Sequence, residues 1–223
     1  MITTLEPGAA PATKVPFRFT VPEQLHEVDF AEPADARIRR ALERWPAALR
    51  GLTPHQAVHL ALTQEMSLAK LREEGAVYVG QIFARSDHDP ARVTTGQLAI
   101  MVKPADLRAE QPLAAIAGGL TVRGEPREIG YADFPAGEAL VVGEEVTVSL
   151  PFTPLGGRRP VTHRMRQAQI IFAFPDRRRL AILSVATEDL ADWRAYLAIL
   201  NGVAKSVSFD PPAPPSSITN QLG

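Results

Sequence analysis

The sequence predicts an α+β domain in which helices flank a twisted, mostly antiparallel sheet. Three observations carry this prediction. Apolar residues recur at three and four positions in the 33–49, 53–74 and 189–207 segments, and at every second position from Gly75 to Lys103 and again over much of 127–187. The last two strand candidates are joined only by Phe174-Pro175-Asp176-Arg177-Arg178-Arg179, a short polar link that dictates a hairpin. The chain has 223 residues, enough to bury roughly 70% of its unfolded surface without a disulfide or structural metal. No repeat or long internal linker divides it, so one domain is expected over residues 15–209. Residues 1–14, small and Pro-rich, and 210–223, opening on Pro-Pro-Ala-Pro-Pro, are expected to be flexible tails.

In chain order, Val15, Phe17, Phe19 and Val21 alternate with Pro16, Arg18 and Thr20, which predicts a half-buried strand closed by Pro22. A helix is expected from Pro33, with Ile38, Ala41, Leu42, Trp45 and Leu49 on one face, ended or kinked at Pro46. Thr53-Pro54 starts a second helix and Gly75 stops it; its apolar residues exceed one stripe, so cover on two sides is expected. Strands over Ala76–Ala84 and Val93–Lys103 follow, joined by a Ser86–Pro90 turn. A helix over Pro112–Arg123, with Gly124 as its stop, interrupts the strands. Four more are expected at Arg127–Phe134, Leu140–Leu150, Val161–Phe174 and Leu180–Thr187. The closing helix, from Asp189, has the cleanest apolar stripe: Trp193, Tyr196, Leu197, Leu200, Val203, Ala204 and Val207.

Three stretches carry a family resemblance. Pro16-Phe17-Arg18-Phe19-Thr20-Val21-Pro22-Glu23 and the closing Asp192-Trp193 helix that runs to Ser206-Val207-Ser208-Phe209 resemble the opening and ending of Mog1/PsbP/DcrB-like domains. The phrase Tyr131–Ala139 is similar to a strand and Pro-x-Gly turn of actinobacterial members. The resemblance implies an α/β/α sandwich used as a binding or assembly module, with no shared catalytic residues to transfer. The roles it implies are nuclear-transport cofactor, photosystem extrinsic subunit and secretion-effector chaperone, and fold likeness alone is weak evidence for any one of them.

The composition narrows the chemistry. There is no Cys, which removes thiol nucleophiles and cysteine-zinc sites, and the formal charge of −1 argues against a nucleic-acid or anionic-membrane coat. No run reaches the roughly 18 apolar residues of a spanning helix and no signal-peptide pattern opens the chain, so a cytoplasmic location is expected. His55 and His59 lie one turn apart like a zincin pair, but Gln56 cannot serve as the general base and no third ligand is evident, so no metal and no cofactor are expected. Asp87-His88-Asp89 reads as solvated turn chemistry. Glu144 and Glu145 must leave opposite faces of a strand; Glu144 falls on the side of Leu140 and Val142, where structural pairing with Arg is expected. Gly118-Gly119 implies close helix packing or a local break, and Gly156-Gly157 a loop tip. No catalytic residue is assigned.

Charge is segregated. Residues 151–179 carry seven basic side chains and one acidic one, in a chain that is otherwise net acidic. Arg158, Arg159, Arg164 and Arg166 are therefore the expected partner-binding residues, directed at an acidic or amphipathic protein rather than nucleic acid; a solvated, edge-protecting strand face is the bland alternative. The sequence thus reads as a non-catalytic binding protein, an adaptor or chaperone of a bacterial secretion or assembly system. A small-ligand or lipid-binding domain, or a hydrolase or transferase, is the competing reading. A shallow apolar groove with a basic rim favours the adaptor, and a deep cavity with convergent polar groups favours its rivals.

Overall fold

The computed structural model describes residues 16–48, 53–89, 91–121, 127–150 and 161–210. Its elements are β1 (His26–Glu27), α1 (Ala34–Ala48), α2 (Pro54–Glu73), β2 (Ala76–Arg85), β3 (Val93–Pro104), α3 (Pro112–Thr121), β4 (Arg127–Phe134), β5 (Gly137–Leu150), β6 (Val161–Ala173), β7 (Arg179–Thr187) and α4 (Trp193–Lys205). The fold is mixed α+β. The seven strands form one sheet in the order β1-β2-β3-β7-β6-β5-β4, antiparallel throughout.

The period-two pattern sorts each strand's side chains to two faces, and helices cover both. On one face Leu98, Ile100, Ile170, Phe172, Leu183 and Val185 pack against Trp193, Tyr196, Leu200 and Val203 of α4. On the other, Val79 and Ala99 meet Leu68 of α2, while Leu140, Val142 and Ile171 meet Leu113 of α3. Strand β3 lies under helices on both faces, so Leu98, Ala99, Ile100 and Met101 are all buried and its alternation blurs into an apolar run. The β6–β7 hairpin forms as expected, its turn carrying Arg177 at φ 55.

Gly75 ends α2 as the sequence predicts. It sits at φ +89, and a Cβ there would stand 2.7 Å from the Val102 carbonyl oxygen, whereas its own carbonyl accepts from Val102 N–H at 2.9 Å. Gly96 serves a different end: a Cβ would come within 2.3 Å of the Tyr196 ring, so its absence lets α4 settle on β3.

Several expectations are corrected. The 16–21 segment is not a strand of the sheet. Phe17, Phe19 and Val21 do turn inward onto the α4-side core, but the ladder amounts to one bridge between Arg18 and Ser208, helped by the Ser206 hydroxyl, because flanking Pro16 and Pro22 confine it. The edge strand is instead the two-residue β1. Helix α1 continues through Pro46 to Ala48. Leu197 is 37% exposed although it falls within the predicted stripe of α4, and Val58, Leu62 and Met66 leave one side of α2 uncovered. Helix α4 begins at Trp193 after a 3-10 turn over Leu190–Asp192, because the Asp189 and Asp192 carboxylates bind other segments instead of capping it. Gly118 and Gly119 lie inside α3 with nothing within 4 Å of a Cβ built at either position, so they serve no close packing. Gly124 and Gly156-Gly157 lie outside the described residues.

Candidate docking cleft

Strand β1 pairs only with Gly80 and Gln81, so β2 forms the sheet margin from Ile82 onward. Alternation then sends Gln81, Phe83 and Arg85 to the α2 side of the sheet, with Val93 directly opposite Arg85 on β3. Helix α1 leans over this margin and, with Gln64 of α2 and residues 25–29, encloses an open cleft of about 730 Å³. Its apolar surface comes from Leu25, Val28, Ala41, Phe83 and Val93, and its rim from His26, Glu27, Asp29, Arg37, Arg40 and Arg85. Phe83 and Val93 are 40% and 42% exposed, large apolar side chains left in the open side by side with charge.

Ion pairs and hydrogen bonds hold the α1 side of the rim. Arg37 clamps α1 to α2 by donating to both Glu65 oxygens at 2.9 and 2.6 Å, and it also donates to the carbonyls of Asp29 and Glu32. The bond to Glu65 raises its pKa, against the lowering effect of burial. Arg40 pairs with Glu32 at 2.6 Å yet keeps 42% of its side chain exposed. The His26 ring lies 6.0 Å from that of Phe83. Such a cleft can take an apolar side chain on its floor while Arg40, Arg85 and His26 meet a carboxylate or carbonyl at its edge.

A second polar cluster is structural. Asp192, its side chain 1% exposed, accepts from the Ser86 hydroxyl at 2.9 Å, Asp87 N–H at 3.1 Å and Arg92 at 3.0 Å, tying the β2–β3 turn to the start of α4. Burial alone would raise its pKa, but the bonds from Ser86, Thr94 and Asp87 and the charge of Arg92 hold the carboxyl below the usual aspartate value. The Ser86 hydroxyl in turn accepts from His88 N–H and Asp89 N–H, so Asp87-His88-Asp89 is a turn, as expected.

The residues singled out from sequence fall elsewhere. Glu144 turns inward and pairs with Arg127 at 2.6 Å, while Glu145 leaves the other face to pair with Arg164 at 2.5 Å. Arg164 and Arg166 share that face; Arg166 lies 4.0 Å from Glu128 and over the Trp193 ring at 5.1 Å. Arg158 and Arg159 lie outside the described residues. His55 is exposed at the start of α2, the side chain of His59 is outside what is described, and among the described residues no group of His, Asp or Glu is placed to hold a metal ion. No helix among them is long and apolar enough to cross a membrane. The cleft is not legible in the sequence because its walls come from five separated elements, β1 with its flanks, α1, α2, β2 and β3; the local signal was Phe83 and Val93, apolar residues on the side of their strands shared with Gln81 and Thr95. No family model, curated protein or solved structure matches the chain.

Proposed function

We propose that the protein is a non-catalytic binding module of the Mog1/PsbP/DcrB-like sandwich kind, an adaptor or chaperone in a bacterial secretion or assembly system, working in the cytoplasm. The observation that carries this reading is the cleft at the β2 margin: open, floored by Phe83 and Val93, and rimmed by Arg40, Arg85 and His26 with Glu27 and Asp29 between them. Its occupant is a segment of a protein partner that offers an apolar side chain next to a carboxylate. Helices on both faces of the sheet agree with the sandwich, and the resemblance of Pro16–Glu23 and of the closing helix supports the same reading. Arg158, Arg159, Arg164 and Arg166 supply a further contact for acidic partner surface, acting mainly on association rate and weakening with salt.

Peptide display against the wild-type protein tests the proposal. Selected sequences should pair an aromatic or aliphatic anchor with Asp or Glu, and Phe83→Glu should weaken their binding by roughly tenfold or more, since it replaces apolar floor by a charge that repels the peptide's own. Equal binding by a Phe83→Glu variant of unchanged stability contradicts the reading. The acidic-surface contact is checked by changing the four arginines to Ser and comparing peptide or partner association at low and high salt.

A further inference from the structure

We infer that β4 is a dimerisation edge, across which two copies of the chain join their sheets into one. This inference is independent of the cleft, which lies at the opposite margin. The two ends of the sheet are treated differently. At the β2 end the chain returns as β1 and covers the edge at Gly80 and Gln81. At the β4 end an eight-residue strand stands outermost, in unbroken register with β5 from Arg127–Glu144 to Phe134–Gly137. It contains no proline, lysine or bulge, and the charges it does carry, Arg127, Glu128 and Asp133, lie toward its two ends.

The alternation of the ladder fixes which groups are available. Val28 N–H bonds to the Val79 carbonyl at the β2 margin, and counting across the sheet from that bond leaves the even residues of β4 bonded to β5 and the odd ones facing outward. Among the described residues, no hydrogen bond reaches the outward N–H and C=O of Ile129, Tyr131 or Asp133. Tyr131 is also 50% exposed on the α3 side.

The sequence of the strand selects a second copy as the occupant. In antiparallel pairing about Gly130, Ile129 stands opposite Tyr131 of the other copy, twice, which is a favourable aliphatic–aromatic cross-strand pair. Arg127 stands opposite Asp133, twice, bringing a carboxylate of the other copy to the guanidinium that holds Glu144, and Glu128 faces Ala132, so no like charges meet. Pairing about Ile129 or Tyr131 loses the Arg–Asp match. Gly130 itself sits on the axis with nothing within 4 Å of a Cβ built there.

The chain has no cysteine, which makes the test specific. Gly130→Cys places two thiols on the axis at a non-hydrogen-bonded pair, where Cα atoms lie about 4.5 Å apart, within the disulfide range. Wild type should sediment as a dimer, and Gly130→Cys should oxidise to an interchain disulfide while Gly202→Cys, on the exposed side of α4, does not. Asp133→Lys should raise the dimer dissociation constant roughly tenfold or more by setting Lys against Arg127 of the copy. A monomeric wild type, or crosslinking of Gly130→Cys no faster than of Gly202→Cys, overturns the inference. Slow amide exchange at Ile129 and Tyr131 in a protein that sediments as a monomer also overturns it, and assigns the edge to another segment of the chain.

Discussion

Among the described residues, the inward-turned carboxylates Glu144 and Asp192 both have guanidinium partners, and this sets their response to mutation and pH. Glu144 and Arg127 retain only 14% and 11% of their side-chain exposure, so removing one partner strands the other in a poorly solvated site. Arg127→Ala should cost about 3 kcal/mol in urea unfolding, the low end for a buried pair, and the double variant Arg127→Met, Glu144→Leu should cost less than that single change. That Glu144 would turn inward toward an arginine was legible from the spacing of Leu140 and Val142; which arginine was not, because the partner is set by β4–β5 register. Asp192 acts through pH. Its folded-state pKa lies below its unfolded value, so the stability it contributes is complete above the unfolded value, roughly 4, and is lost as pH falls through the lower folded value. Asp192→Asn should therefore destabilise the protein near neutral pH and flatten the acid limb of its stability profile. An unchanged limb would mean that other carboxylates, Asp176 among them, set it.

At the scale of elements, helix α4 shows how far periodicity carries. Its stripe was legible, and Trp193, Tyr196, Leu200 and Val203 are buried as that stripe requires. Leu200→Ala should cost about 2–5 kcal/mol by lost burial and a cavity, whereas Leu197→Ala, at an exposed position of the same helix, should cost far less. Chemical denaturation separates the two, and equal costs would mean that the helix is rotated from its place on β3 and β7. The bounds of α2 were also legible, from Thr53-Pro54 and Gly75. The two-residue β1 was not, since two residues cannot express a period, and the alternation of Phe17, Phe19 and Val21 pointed to a strand where tertiary packing uses the same pattern without a ladder. Burial of a face is what alternation reports; backbone pairing is a separate matter.

For the whole molecule, the cleft and the outermost β4 strand both lie at margins of the sheet, and the proposed functions are placed there. The cleft was illegible because it depends on α1 leaning over β2, a placement fixed by the Arg37–Glu65 clamp between residues 28 positions apart in the chain. Nuclear magnetic resonance of the full chain titrated with a display-selected peptide tests most directly whether the floor and rim of this cleft receive the proposed partner segment. Amide shifts should concentrate at His26, Phe83, Arg85 and Val93 and vanish in Phe83→Glu; shifts centred on α4 or β6, with those four residues unmoved, would contradict docking in the cleft.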